Sequence, residues 1–388
     1  MQNHFRPGGR GVYDSRVIRR LYVNNYRCLE NFELPVAGKQ SVLLIGKNGS
    51  GKTTVGRVLR IFQRIAQGTN RVGELVKPRE LARQRSDAPM RFELEVQLNG
   101  QIYSYTLVFE FPKGFKELRV QEEGLKVDGH PVYTRELAQV HIVRPGEVQG
   151  PSFRIDWHLV ALPIIQDETQ GDPLFVFKQW LGRMLVLRPV PTGMRGASEH
   201  DDETLQPLPF VSNYGAWFSG LIAHAPSAYS KIDTYLKQVM PDLKDIQNPT
   251  VGEGSRSLLV QFSNKQGTIS LPFQSLSDGE KCFMVCALVL ATADVFKPLL
   301  CYWDEPDNYL ALDEVGFFAL ALRKAFESGG QFIGTSHNPE AIRQFSDETT
   351  LLLFRKSHLE PTVIRPVSEL QVTGDLVGAL IRGDVEPQ

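Results

Sequence analysis

Cysteine is scarce in this sequence: there are four in 388 residues, and their spacing matches neither a metal site nor a disulfide framework. Two of them lie four residues apart, one helical turn, with no paired histidine or cysteine nearby. We therefore expect all four thiols to be buried apolar filler, which suits a reducing cytoplasm. They are Cys28, Cys282, Cys286 and Cys301.

Long apolar runs and an excess of either charge are also missing. The longest apolar stretch, residues 283–293, falls short of the roughly 20 residues that a membrane helix needs. The opening residues lack the apolar core of a signal peptide, so we expect a cytoplasmic protein with no membrane partner. Lysine and arginine number 43 against 44 aspartates and glutamates, which argues against a globally basic nucleic-acid coat. A local basic patch stays open, and its candidate residues are Arg79, Arg83, Arg85 and Arg91.

What is present is a chain long enough for two or three structural units. Residues 1–16 are rich in glycine and arginine without periodicity, which predicts a mobile tail. We expect strands at residues 28–34 and Ser41–Ile45. Alternating residues on both sides of Asn99-Gly100 predict a β-hairpin that turns at this dipeptide.

The second half of the chain is predicted to begin with helices and to continue with alternating helices and strands. Residues 173–187, 214–224 and 227–240 have helical periodicity, and residues 189–209, rich in proline, glycine and acidic side chains, predict an exposed loop. From residue 278 onward, helices and apolar strands follow one another. This alternation predicts a parallel sheet covered on both faces, and therefore an α/β fold.

The strongest motif is a glycine-rich segment between an apolar strand and an amphipathic helix, and it fits G-x-x-x-x-G-K-[ST] once. Glycines let the backbone approach a polyphosphate closely, and the following helix directs its N-terminal dipole at the anion. Lys52 should reach the β- and γ-phosphates, and the Thr53 hydroxyl should bind Mg²⁺. The alternative is a glycine-rich turn with a surface lysine, and the flanking strand and helix favour nucleotide binding. The predicted ATP-binding residues are Gly46, Lys47, Asn48, Gly49, Ser50, Gly51, Lys52, Thr53 and Thr54.

Two carboxylates end a second apolar strand, in the segment LLCYWDEP. Ligands of α/β sheets bind at the carboxyl ends of the strands. Asp304 is the predicted Mg²⁺ ligand, and Glu305 is the predicted base that activates the water attacking the γ-phosphate. An acidic pair in a turn is common by itself, and the P-loop in the same chain gives this pair its weight.

Two further segments complete the candidate site. Ser277-Asp278-Gly279-Glu280 opens a helix, which is either a second phosphate-binding helix start or simply an N-cap. His337 follows another apolar strand and is either a hydrogen-bonded turn residue or a contact for the γ-phosphate and the attacking water.

These four segments, in this order, resemble the ATP-binding-cassette (ABC) ATPases: GKNGSGKT looks like Walker A, LSDGEK like the signature motif, LLCYWDEP like Walker B and TSHNP like the switch histidine. The chain is more similar to the SMC and RecF-like branch than to transporter subunits. The most similar group is the compact AAA-like ATPases of bacterial anti-phage systems and overcoming-lysogenization-defect nucleases, here without a nuclease domain. In that branch a basic residue at the position of Arg27 contacts the nucleotide. The signature departs from Ser-Gly-Gly-Gln, which leaves the role of Glu280 open.

The resemblance implies a P-loop ABC-type ATPase head, a mixed sheet flanked by helices with an inserted β-rich and helical lobe. Residues 17–160 and 271–388 would form the two halves of the ATPase core, and residues 161–270 the mainly helical insertion. A glutamine that follows a core strand should join the metal site. Gln139, Gln149 and Gln166 compete for this Q-loop position, and Gln149 is favoured.

The resemblance also implies a homodimer that sandwiches two ATP molecules, with Ser277, Asp278, Gly279 and Glu280 of one copy completing the site of the other. ATP and Mg²⁺ are the expected cofactors. The predicted role is a nucleotide-dependent switch in an anti-phage system. Its predicted partners are a separate effector protein and, beyond the homodimer, further copies in a higher homo-oligomer. The alternative is a DNA-binding RecF-like repair ATPase. A transporter subunit is disfavoured, because about 225 residues separate Lys52 from Ser277.

Overall fold

A computed structural model describes residues 17–143, 150–166, 169, 171–199, 202–252, 254–370 and 378–379. In these residues the helices are α1 Lys52–Ala66, α2 Val72–Leu75, α3 Pro173–Arg183, α4 Tyr214–His224, α5 Ala228–Val239, α6 Asp278–Val295, α7 Leu312–Glu327 and α8 Pro339–Arg343. The strands are β1 Ile18–Asn24, β2 Phe32–Glu33, β3 Ser41–Ile45, β4 Met90–Leu98, β5 Gln101–Glu110, β6 Arg119–Val127, β7 His130–Glu136, β8 Gln139–Ile142, β9 Ser152–Arg154, β10 Leu185–Leu187, β11 Ala197–Glu199, β12 Leu243–Gln247, β13 Thr250–Val251, β14 Ser255–Ser257, β15 Leu259–Asn264, β16 Gly267–Pro272, β17 Leu299–Trp303, β18 Gly330–Thr335, β19 Thr350–Phe354 and β20 Val363–Pro366.

A six-stranded sheet with the order β10-β17-β18-β3-β19-β20 forms the centre of the molecule. Its first five strands run parallel, and β20 pairs antiparallel to β19. Strands β3, β17 and β18 are buried along their whole length. Continuous apolar burial is expected of a parallel sheet that is covered on both faces, so the predicted α/β fold is confirmed.

The two faces of this sheet belong to two separate hydrophobic cores. Along β3, Val42 and Leu44 enter one core with α1 and the first antiparallel strands, whereas Leu43 and Ile45 enter the other core with α4 to α7. The separation follows from the alternation of side chains along a strand. Helix α6 is buried on nearly all sides, as an apolar helix without a polar face requires.

An eight-stranded antiparallel sheet covers the opposite side of α1, in the order β2-β1-β4-β5-β6-β7-β8-β9. Strand β4 alternates strictly between buried and partly buried residues, because one face packs on the core. The predicted hairpin is confirmed: β4 pairs with β5, and both Asn99 and Gly100 have positive φ.

Two predicted elements are wrong. The strand expected at residues 28–34 is reduced to Phe32–Glu33, because an antiparallel bridge between Tyr26 and Leu29 closes a tight turn there. The helix expected at residues 173–187 ends at Arg183, and Leu185–Leu187 forms strand β10 beside β17. Three apolar residues in a row fit a buried strand as well as a helix, and pairing with β17 decides between them.

The division into residues 17–160, 161–270 and 271–388 stays a prediction, and the structure adds how the middle part is attached. Strand β10 belongs to the central sheet, α3 packs on α1, and α5 packs on α6. Two three-stranded sheets, β11-β14-β13 and β12-β15-β16, extend this part. Within the described residues, no helix is both long and apolar enough to cross a bilayer. The tail predicted at residues 1–16 lies outside the described residues.

A buried carboxylate fastens the strands of the antiparallel sheet to the segment that follows β9. The Glu123 carboxylate accepts five hydrogen bonds, from the hydroxyls of Tyr105 and Tyr133, the guanidinium of Arg135 and the backbone N–H groups of Ala161 and Leu162. The side chains of Glu123 and Arg135 have no solvent exposure. Removal of this carboxylate would take an acceptor from all five donors and would leave Arg135 with backbone carbonyl partners alone.

We expect Glu123→Ala to lower the free energy of unfolding by about 3–5 kcal/mol, because it leaves the Arg135 charge buried and unpaired. The control is Asp233→Ala, which removes an exposed i,i+4 pair with Lys237 and should cost about 0.5 kcal/mol or less. Urea denaturation of the purified variants measures both values. Equal stability losses in the two variants would contradict this view of the network.

Candidate functional site

The glycine-rich segment forms a tight loop between β3 and α1, in which three glycines have positive φ: +144° at Gly46, +80° at Gly49 and +108° at Gly51. A Cβ atom on Gly46 would lie 2.1 Å from the carbonyl oxygen of Leu353, so only glycine fits there. At Gly49 a Cβ atom would meet no neighbour within 4 Å, so the backbone stays accessible. The loop therefore has the backbone freedom and open space of a phosphate-binding P-loop.

Within the described residues, Lys52 has no ion-pair partner and the Ser50 hydroxyl has no hydrogen-bond partner. Lys52 is 6% exposed, and its Nζ donates to the carbonyl oxygens of Gly46 at 2.6 Å and Lys47 at 3.4 Å. Burial lowers the pKa of Lys52, an effect opposed by the nearby Glu305 and Asp304 carboxylates. The Ser50 hydroxyl is buried and makes no hydrogen bond to any residue that the structure describes. A buried ammonium without an ion-pair partner in the described structure fits an anionic ligand.

Tyr302 connects the start of α1 to the acidic pair. Its hydroxyl donates to the carbonyl oxygen of Lys52 at 2.8 Å and lies 3.4 Å from Oδ1 of Asp304. Its ring packs where Gly56 has no side chain, since a Cβ atom there would come within 2.3 Å of the ring. Burial, reinforced by Asp304, raises the pKa of Tyr302, so the hydroxyl remains a donor. The two halves of the site are thus held in fixed positions.

The Thr335 hydroxyl, at the end of β18, organises both carboxylates. It donates to Oδ1 of Asp304 at 2.8 Å and accepts the N–H of Glu305 at 2.9 Å. Glu305 has φ +52°, an uncommon value for a residue other than glycine. Asn308 Nδ2 donates to Oε2 of Glu305 at 2.7 Å. Strain of this kind persists only where the surroundings hold it, and it clusters at functional sites.

His337 meets the other oxygen of the Glu305 carboxylate: its Nε2 lies 3.5 Å from Oε1. Burial and the Lys52 charge lower the pKa of His337, against the opposing influence of Glu305 and Asp304. A neutral imidazole is therefore favoured near pH 7, and it both donates and accepts hydrogen bonds.

A second buried carboxylate fixes the residue before His337. The Ser336 hydroxyl donates to Oδ2 of Asp307 at 2.7 Å and accepts the N–H of Asn338 at 2.8 Å. Asp307 is 6% exposed, and burial raises its pKa. Asp307 thereby holds the loop between β18 and α8 against the segment that follows Glu305.

The N-cap predicted as one alternative at the start of α6 is present. Ser277 accepts the N–H of Glu280 at 3.3 Å, and Glu280 accepts the N–H of Ser277 at 2.7 Å, a capping box. Gly279 packs against the segment after Glu305, since a Cβ atom on it would lie 3.1 Å from the carbonyl oxygen of Tyr309. A contact of Asp278 or its neighbours with a nucleotide on another copy stays a prediction.

The remaining predicted site residues are Arg27 and the three candidate glutamines. Arg27 bonds to Glu80, in a turn whose Cys28 lies 3.7 Å from the Thr54 hydroxyl, so its contact with the nucleotide stays a prediction. Gln149 lies outside the described residues. Gln139 and Gln166 follow no strand of the six-stranded sheet: Gln139 starts β8, and Gln166 is exposed after β9.

The motifs missed one charged residue of the site. Arg188 follows β10, and its Nε lies 3.8 Å from Oδ2 of Asp304. No signal revealed it, because the segment before it was predicted to be helical. Thr335 lies inside the segment TSHNP and Asn308 two residues beyond LLCYWDEP, and the sequence does not reveal their bonds to the acidic pair.

Mg²⁺ fits this site only together with a ligand. The described residues contain no group of three or more His, Cys, Asp or Glu side chains able to hold a metal. Mg²⁺ in nucleotide sites uses one or two protein oxygens plus phosphate oxygens and water. Asp304, which follows β17, and Thr53, in the first turn of α1, would supply one carboxylate and one hydroxyl oxygen of this kind.

Residues 17–97, which include the P-loop and α1, match the AAA ATPase domain family known as AAA_15. No curated protein sequence matches the chain. Among solved structures, an SMC head bound to the C-terminal winged-helix domain of ScpA covers 90% of this chain and 97% of its own, with TM-score 0.52 and 11% identity. An SMC head with an extended coiled coil, bound to the C-terminal domain of ScpA from Pyrococcus furiosus, covers 91% and 97%, with TM-score 0.55 and 10% identity. The fold is that of an SMC ATPase head. Identities this low establish the fold alone.

We expect His337 to titrate below 6.5, its ordinary pKa. Since the folded pKa is depressed, the unfolded chain binds the proton more readily, and stability falls as the pH drops from 6.5 through the folded pKa. NMR titration of the histidine Cε1–H signals measures it, with the signal assigned by its loss in His337→Gln. Lys52→Ala should raise this pKa, because it removes a neighbouring positive charge. A midpoint at or above 6.5 in the wild type would contradict the prediction.

Proposed function

We propose that this protein binds ATP with Mg²⁺ and hydrolyses it to ADP and phosphate. The observation that carries the proposal is the convergence of the buried Lys52 ammonium, the P-loop backbone and the Asp304-Glu305 pair at one edge of a parallel sheet. A phosphate chain in the loop would supply the anion that Lys52 lacks. The match of residues 17–97 to the AAA ATPase domain family supports the same reading.

Each side chain of the site has a distinct task in this mechanism. The P-loop N–H groups and Lys52 bind the phosphates, which neutralises charge on the transferred group. Mg²⁺, held by Thr53 and Asp304, would stabilise charge on the phosphate oxygens. The Glu305 carboxylate, oriented by Asn308 and its own N–H bond to Thr335, takes the proton of the attacking water.

His337 completes the site from the side of β18. Its Nε2 is within 3.5 Å of Glu305, so a neutral imidazole can donate to that carboxylate or to a phosphate oxygen. Because Asp307 fixes Ser336 next to it, the position of His337 depends on the same segment that carries the base.

We expect Glu305→Gln to keep ATP binding and to slow hydrolysis at least about 100-fold, because the amide cannot accept the proton. Lys52→Ala should lose nucleotide binding as well. Calorimetric titration with ATP and phosphate release under saturating ATP measure these two properties separately. Arg343→Ala, which removes a solvent-exposed pair with Glu340 in α8, is the matched control and should behave as wild type. Wild-type hydrolysis by Glu305→Gln would refute the assignment of the base.

The proposal extends to an ATP-dependent homodimer that works as a switch. Ser277, Gly279 and their neighbours would complete the site of the second copy, which the capped start of α6 presents at the surface. Exposed large apolar side chains in the segments that follow β10 and β17 and at the start of α7 support a covered face: Val190, Leu208, Phe210, Tyr309 and Leu312. Glu305→Gln with ATP should then accumulate as a dimer in light scattering, and Lys52→Ala should not.

The proposed setting is an anti-phage system in which the switch controls a separate effector protein. The support is the resemblance of the motifs to the compact ATPases of such systems. The SMC heads of similar fold are bound to domains of ScpA, and partner binding by this chain is our proposal by analogy. Phage challenge of cells that carry the wild type or Lys52→Ala, together with the adjacent genes, tests this setting.

DNA binding is the competing function, and the candidate basic patch gives it little support. Arg83 and Arg85 pair with Glu30, and Arg91 pairs with Glu93 and Glu122. Carboxylates that already neutralise these arginines leave little net charge for phosphates.

We therefore expect duplex DNA to bind weakly and not to stimulate hydrolysis. Titration at several salt concentrations is decisive, because phosphate contacts give a steep negative dependence of log K on log salt. A steep slope that Arg83→Ala reduces would favour the RecF-like alternative.

A further inference from the structure

Arg188 occupies a position in the site that the parallel pairing of β10 and β17 defines. Leu187 is the register partner of Trp303, and the N–H of Asp304 donates to the carbonyl oxygen of Leu187 at 2.8 Å. Arg188 and Asp304 are therefore the next residues beyond the ends of neighbouring strands. The carboxyl ends of parallel strands share one edge of the sheet, where ligands bind.

The contact of Arg188 with Asp304 is too weak to contribute much to the stability of the fold. The two groups are 3.8 Å apart, and 55% of the Arg188 side chain is exposed. A half-exposed pair at this separation contributes little, and backbone hydrogen bonds already hold β10 in the sheet. In the described structure, Asp304 is the sole carboxylate that Arg188 reaches, which leaves most of its guanidinium donors in solvent.

The chemistry of the site supplies an anion for those donors. A guanidinium presents five N–H groups in a planar fork that matches phosphate oxygens. Lys52 approaches the phosphates from the P-loop, and Arg188 stands on the other side of Asp304, beside the end of β17. A metal ion on Asp304 would take this carboxylate from Arg188 and leave the guanidinium without its partner.

We propose that Arg188 binds the terminal phosphate of the nucleotide and lets the site distinguish ATP from ADP. The inference rests on the proposed ATP-binding function. It gives the inserted segment after β10 a direct link to the nucleotide. The backbone N–H of Arg188 donates to the carbonyl oxygen of Pro209, and that of Val190 donates to the carbonyl oxygen of Phe210. A phosphate bound by Arg188 would therefore be linked through the backbone to the exposed apolar side chains of Val190 and Phe210.

The test compares the affinities for ATP and ADP in the Glu305→Gln background, where ATP persists. We expect Arg188→Ala to weaken ATP binding about tenfold or more, as loss of a charge-assisted hydrogen bond does, and to change ADP binding less than about twofold. Arg188→Lys should restore part of the ATP affinity. Arg195→Ala is the matched control, an exposed arginine of the same inserted segment, and it should change neither affinity.

Each outcome of this experiment decides the inference. An unchanged ratio of ATP to ADP affinity in Arg188→Ala overturns it, whether both affinities stay the same or fall together. Thermal melting of Arg188→Ala should match the wild type. A fall in the ratio of ATP to ADP affinity then reflects lost contact with the terminal phosphate and not a loss of folding. If the Glu305→Gln parent binds neither nucleotide, the proposed function and the inference both fall. A parent that binds ATP with an unchanged ratio in Arg188→Ala refutes the inference alone.

Discussion

The parallel pairing of β3, β18, β17 and β10 is the constraint on which the site depends. Strands that run in the same direction end at the same edge, so residues far apart in the chain meet there. The P-loop follows β3, His337 follows β18, Asp304 and Glu305 follow β17, and Arg188 follows β10. Burial of β3, β17 and β18 on both faces fixes this register, because a slip of one residue would exchange the side chains of the two cores.

The positive and negative side chains of the site neutralise one another only in part. Lys52 is buried without an ion pair to any described residue, whereas Asp304 and Glu305 are near enough to oppose the fall in its pKa. Arg188 reaches Asp304 and His337 reaches Glu305, each from the end of a strand next to β17. Positive and negative groups thus face one space without pairing fully, which is the condition in which a phosphate chain and a divalent cation gain most from entering.

The residues that follow strands could be predicted from the sequence because chemistry and secondary structure share one local signal there. Lys52, Asp304 and His337 each lie in a polar cluster directly after an apolar run, and the structure brings all three together. Arg188 offered no such signal, since the three apolar residues of β10 follow a helix and only pairing with β17 reveals them as a strand.

Bonds between elements could not be predicted at all. In the sequence Tyr302 is one residue of an apolar strand, yet its hydroxyl joins the Lys52 carbonyl to Asp304. The left-handed backbone of Glu305 depends on Thr335, 30 residues away, and on Asn308. Such contacts are set by the packing of strands and helices, which local periodicity does not contain.

The close approach of Gly279 to the Tyr309 carbonyl leaves no room for a side chain between the start of α6 and the segment that follows Glu305. In the proposed dimer, the start of α6 would face the nucleotide of the other copy, and Glu305 would act on the chain's own nucleotide. A displacement of one segment would then be passed on to the other. In a two-fold dimer each chain would therefore be a lever between two nucleotides, and the two sites would sense each other's occupancy without any contact between the nucleotides.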